Sequence, residues 1–161
     1  MIDRQARTEA LTALKRFLSC ETTNDEYECE YPYPRAWGKK ASSDPAIKAI
    51  HGMSWNWFDD FNSHKLEREY ELDSEVQAIA DRCCQFLSSD CEYEWKETNF
   101  MKTGFTRSVL TTLGLTRTVP QIEEQIAHHL DQPEGDASVW PFFRNEDYVA
   151  AKSKLEANTR I

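Results

Sequence analysis

Between residues 3 and 19 the apolar side chains fall at Ala6, Ala10, Leu11, Leu14, Phe17 and Leu18, the spacing of one helical face. Asp3, Arg4, Arg7, Glu9, Lys15 and Arg16 occupy the positions between them, so the pattern predicts an amphipathic helix with its charges on the outer side. A second long stripe, Val76, Ile79, Ala80, Cys83, Phe86 and Leu87, follows Ser74 and Gln77, which have capping-box spacing. Shorter helices are expected after Asp44-Pro45, where an N-cap precedes a proline at the first helical position and Gly52 ends the turn, and over Trp55 to Asn62, capped by Ser54. In the latter, Trp57, Phe58 and Phe61 would share a buried face. Further along, Phe105, Val109 and Leu113 fit a helix with a strand as the alternative, and Thr118 with Gln121 caps a helix through Ile122, Ile126 and Leu130. Residues 139–143 read as a short extended apolar run, and Asn145 opens a last helix through Tyr148, Ala151 and Leu155.

The period changes to two in a pair of places. Glu26, Glu28 and Glu30 alternate with Tyr27, Cys29 and Tyr31, and Glu92 and Glu94 alternate with Cys91, Tyr93 and Trp95. Alternation of this kind predicts half-buried strands at 26–31 and 91–96, with rings and thiols facing a core and carboxylates facing water. Paired antiparallel, the two would merge their glutamates into one acidic patch, despite the crowding of like charges. The chain is therefore expected to be a single α+β domain over residues 1–161, helix-dominated, with a small antiparallel sheet packed by several amphipathic helices.

Composition narrows the possibilities for function. A net charge of −9 and a pI near 5.0 disfavour direct binding to nucleic acid or to an anionic membrane, both of which need concentrated positive charge. No apolar run approaches the roughly 20 residues that span a bilayer, and charges interrupt the first 18 residues, which argues against a secretory signal. A cytoplasmic location is expected. The five cysteines, Cys20, Cys29, Cys83, Cys84 and Cys91, are odd in number and contain no Cys-x-x-Cys pair, so reduced thiols are expected rather than a disulfide framework or a zinc ribbon.

Catalytic signatures are sparse. There is no Gly-x-Ser-x-Gly, and the five glycines are scattered singly, with no loop to cradle a phosphate. His128 and His129 are adjacent on a helix and do not face one partner. His51, Asp60 and His64 form the one group with ligand-like chemistry, because Asp60 and His64 are spaced four apart and could offer an oxygen and a nitrogen from one helical face. That group supports a small metal-dependent hydrolase as the alternative function. The favoured expectation is a non-catalytic module, needing neither cofactor nor metal, that engages a basic protein partner through Glu26, Glu28, Glu30, Glu92 and Glu94 together with the loop aromatic Trp37. The small acidic make-up is compatible with inhibitor or immunity-type proteins that neutralise such a partner; self-association is left open.

Overall fold

Asp3 opens the first helix by accepting a hydrogen bond from the Ala6 backbone N–H at 3.1 Å, and Lys15 and Arg16 close it near the exposed carbonyls. This helix, α1 (Arg4–Leu18), belongs to a computed structural model that describes residues 1–33, 42–58, 61–95 and 135–159 of the chain. Four more helices follow among those residues: α2 (Asn24–Glu30), α3 (Pro45–Ser54), α4 (Ser74–Ser88) and α5 (Asn145–Thr159). α1 lies at the centre and packs on α2, α3 and α4, while α4 also meets α3 and α5. The helices expected around Phe105 to Leu113 and after Thr118 lie outside the described residues, as do His128 and His129.

The described residues contain no β-strand, which corrects the expected α+β fold: they form a helical assembly without the small sheet. Residues 26–31, expected to be a strand, belong to α2 and its C-cap. Tyr27 and Tyr31 are four apart, and four is a multiple of the strand period as well as close to one helical turn. Burial resolves the ambiguity, for Asn24, Tyr27, Glu28 and Tyr31 are the buried positions, the i, i+3, i+4, i+7 face of a helix, and Cys29 is exposed. A capping box fixes the start: the Glu26 N–H donates to Thr23 Oγ1 at 3.3 Å while the Thr23 N–H donates to Glu26 Oε2 at 2.9 Å. Residues 91–95 keep the expected alternation, with Cys91 and Tyr93 half-buried, Trp95 buried, and Glu92 and Glu94 exposed, but among the described residues they pair with no other strand.

Three smaller expectations also change. α3 runs through Gly52 to Ser54, where the Ser54 hydroxyl donates to the His51 carbonyl at 2.9 Å and meets the Tyr27 hydroxyl at 2.8 Å, so its side chain caps no further helix. Beyond it there is a single 3-10 turn, Trp55–Trp57, and Phe61 is 80% exposed while Trp57 is buried. The 139–143 run is a turn following the 3-10 segment Ala137–Val139, with Trp140, Phe142 and Phe143 buried. There the Trp95 indole N–H donates to the Phe142 carbonyl at 3.0 Å and the Phe86 ring meets Phe142 edge-on at 5.0 Å.

The expected stripe of α4 is buried residue for residue, and its N-cap is Asp73, which accepts from the Glu75 and Val76 N–H groups at 2.9 Å each. α1 departs from expectation at Arg7. Instead of joining the outer charges, Arg7 is 1% exposed and binds Asp44, itself 2% exposed, through Nε to Oδ2 at 2.6 Å and Nη2 to Oδ1 at 3.3 Å. Its Nη1 donates to the carbonyls of Ser89 and Cys91, and its guanidinium lies 4.9 Å above the Phe86 ring. Asp44 also caps α3 by accepting from the Ala46 N–H at 3.1 Å. One buried ion pair thus ties α1, the start of α3 and the chain after α4. Among the described residues no helix is long and apolar enough to cross a membrane.

Candidate acidic docking surface

The carboxylates singled out from the sequence do not lie together. Arg16 pairs with Glu30 at 2.5 Å near one end of α1, whereas the chain amino group lies 3.9 Å from Glu92, and Arg4 pairs with Asp90, at the other end. Arg4 and Arg16 are separated by roughly 18 Å along the axis at a rise of 1.5 Å per residue. Most of these acids already have internal work. Glu26 closes the capping box, Glu28 is 7% exposed, and Glu94 takes both Nη atoms of Arg144 at 2.7 and 2.9 Å. Trp37 and Asp60 lie outside the described residues.

A third Glu-Tyr-Glu, at Glu69-Tyr70-Glu71, presents acids more openly. Glu67, Glu69, Glu71, Asp73 and Glu75 are all exposed, and none of the five enters an ion pair among the described residues. Between them Leu66 is buried, Tyr70 and Leu72 are half-buried, and the 3-10 turn Arg68–Tyr70 begins with the exposed Arg68. With Lys65 and Arg68 as the only cations of residues 65–75, it carries an excess of three negative charges. The sequence signal for it is the repeated tripeptide within what reads as an ordinary charged run.

This ridge is fastened at both ends. Upstream, the buried Asn24 side chain clamps it: the Asn24 N–H donates to the His64 carbonyl at 2.9 Å, the His64 N–H donates to Asn24 Oδ1 at 2.8 Å, and Asn24 Nδ2 donates to the Asn62 carbonyl at 3.1 Å. The Cys20 thiol reaches the Leu66 carbonyl at 3.3 Å. The His64 imidazole, its Nδ1 2.8 Å from the Asn62 carbonyl, stacks on Tyr70 with centroids 3.8 Å apart. Downstream, Asp73 caps α4. A ridge held this way loses little conformational freedom on binding.

The second histidine, His51, sits in a different stack, 4.7 Å from the Tyr33 ring and 5.2 Å from Tyr31. Among the described residues no group of three or more His, Cys, Asp and Glu side chains could hold a metal ion. All five cysteines are unpaired. Burial pushes the Cys83 thiol well above its ordinary range and that of Cys84 up to about 12, and it raises Tyr27, Tyr31 and Tyr93 as well. Such groups stay protonated at neutral pH, the opposite of what a nucleophile needs. Comparison with known proteins finds no family model, no curated protein and no solved structure that matches this chain.

Proposed function

We propose that the protein is a cytoplasmic, non-catalytic binding module that presents its acidic ridge to a basic protein, as an inhibitor or immunity-type protein does. The observation that carries this reading is the set of five exposed carboxylates at Glu67, Glu69, Glu71, Asp73 and Glu75, outside every ion pair of the described residues and fixed by the Asn24 clamp and the cap of α4. An excess of like charges along one segment raises a local negative potential, which steers a cationic surface toward it. The docking surface moves accordingly from Glu26, Glu28, Glu30 and Glu94 to this ridge. Glu92 remains an exposed acid elsewhere on the surface.

The test is differential capture from an extract of the source cells on wild type and on the Glu69→Lys/Glu71→Lys variant, the bound proteins being identified by mass spectrometry. A basic protein held by wild type and released by charge reversal, with the melting temperature unchanged, supports the reading. Equal recovery of the same proteins on both baits contradicts it.

A further inference from the structure

Phe61 is 80% exposed, whereas every other aromatic side chain among the described residues is buried or half-buried. Its own contacts within the chain leave it in that state. Lone apolar side chains are common on protein surfaces and need no explanation by themselves, but two further observations set this one apart. The first is selection. Phe58, just before it, is drawn against Phe17 at 5.5 Å and Trp55 at 6.1 Å, and His64 and Tyr70, just after it, stack on each other at 3.8 Å. The fold recruits the rings on both sides and leaves Phe61 facing outward. The second is attachment. Residues 62–66 are held at three points: the Asn62 carbonyl accepts from Asn24 Nδ2 at 3.1 Å, the His64 N–H donates to Asn24 Oδ1 at 2.8 Å, and the Leu66 carbonyl accepts from the Cys20 thiol at 3.3 Å. Phe61 and Glu67, the first carboxylate of the ridge, thus stand at the two ends of one fastened stretch.

Six residues of chain span at most roughly 22 Å, and a standard interface covers about 800 Å² on each partner, a patch roughly 30 Å across. A partner seated on the ridge reaches Phe61 as well. We propose that Phe61 is the apolar anchor of this docking surface, inserted into an apolar pocket of the basic partner whose rim of lysines and arginines meets the ridge. The ring has no polar atom, so what receives it is apolar; the ridge has an excess of negative charge, so what surrounds that pocket is cationic. A buried aromatic inside a charged rim is the arrangement in which a few side chains carry most of the affinity. Because the backbone on the ridge side is already tied to Asn24 and Cys20, seating the ring costs little ordering. The inference rests on the proposed function, with the ridge steering the encounter and the ring prolonging the complex. The two contributions are separable, since salt screens the carboxylates but not the burial of the ring.

The experiment places a photo-crosslinking side chain at the anchor, Phe61→p-benzoylphenylalanine, with Val149→p-benzoylphenylalanine as the control at an exposed position on α5. Both are irradiated in an extract of the source cells and the crosslinked peptides are sequenced. Position 61 should trap a basic protein through a peptide in which apolar residues are flanked by lysine or arginine, and position 149 should not. Against that protein, Phe61→Ala should weaken binding at least about tenfold at low and moderate salt alike, with Tm unchanged, and Phe61→Leu should restore most of the loss. A crosslink to a second copy of this chain, to an acidic protein, or to the same proteins from position 149 would overturn the anchor. So would Phe61→Ala binding as wild type while Glu69→Lys/Glu71→Lys fails, which leaves the acidic module standing. Equal loss in Phe61→Leu and Phe61→Ala would overturn the apolar pocket. If neither position 61 nor the ridge holds any basic protein, the anchor and the module fall together.

Discussion

Replacing Arg7 by alanine should remove a large part of the protein's margin of stability. The substitution deletes the counterion of Asp44 in a place where both side chains are 1% exposed, and it strips donors from the Ser89 and Cys91 carbonyls. Asp44 would keep only the Asp3 and Ala46 N–H groups, at 3.2 and 3.1 Å. Breaking a buried ion pair from one side costs about 3–5 kcal/mol, because the remaining charge is stranded out of water. In a chain of this size that is a fall in Tm of about 6–20 °C. The exposed Arg144–Glu94 pair provides the internal contrast: it is also bidentate, yet Glu94→Gln should cost no more than about 1 kcal/mol, since water screens it. The assay is urea unfolding of Arg7→Ala, Asp44→Asn, Arg7→Ala/Asp44→Asn and Glu94→Gln. The double variant should be less destabilised than the sum of the two sites, as coupled partners are. If Arg7→Ala loses no more than Glu94→Gln, the buried pair is not the tie between α1, α3 and the end of α4.

Gly135→Ala should destabilise by about 1–3 kcal/mol in the same assay, because a Cβ there would fall 2.4 Å from Trp95 Cη2 and 2.8 Å from Phe143 Cε2 in a packed aromatic corner. Phe61→Ala, by contrast, should change stability by less than about 0.5 kcal/mol, since the ring is 80% exposed; a large loss would place it in the core. Thiol labelling at pH 8 should modify the exposed Cys29 first and the buried Cys83 last, and early reaction of Cys83 would contradict its burial. Because burial raises Cys84 from 9.0 to about 12 and raises Cys83 too, the unfolded chain gives up these protons first, so stability should hold below about pH 9 and decline above it. A Cys83→Ser/Cys84→Ser variant should show a shallower alkaline decline in pH-dependent unfolding.

Where burial follows a long stripe, the sequence is a good guide. α1, α4 and the start of α3 are legible in Leu14 and Phe17, in Ile79 to Leu87 and in Asp44-Pro45, because a helix is the regular structure that sustains a 3.6 period. α2 looks like a strand because seven residues contain too few turns to separate the two periods, and the Thr23–Glu26 capping box carries the decisive information. At 91–95 the alternation reports the two faces of the segment correctly but cannot report a partner strand. Arg7 shows a different limit. It stands three residues before Ala10 and seven before Leu14, on the buried face by spacing, yet Asp44, thirty-seven residues away, and the Ser89 and Cys91 carbonyls make that burial tolerable, and no local pattern encodes such a pairing. The same applies to the surface: a row of glutamates is visible in the sequence, but whether each is capped, buried or paired depends on Thr23, Arg16 and Arg144.

The acidic ridge is tested most directly by association kinetics between the protein and its captured basic partner, measured for wild type and Glu69→Lys/Glu71→Lys at low and moderate salt. Electrostatic steering requires the wild-type association rate to fall as the Debye length shortens from about 10 Å at 0.1 M. It also requires the variant to associate more slowly, with its Tm unchanged because the substituted positions are exposed. Association rates indifferent to both salt and charge reversal would contradict a docking role for Glu67, Glu69, Glu71, Asp73 and Glu75.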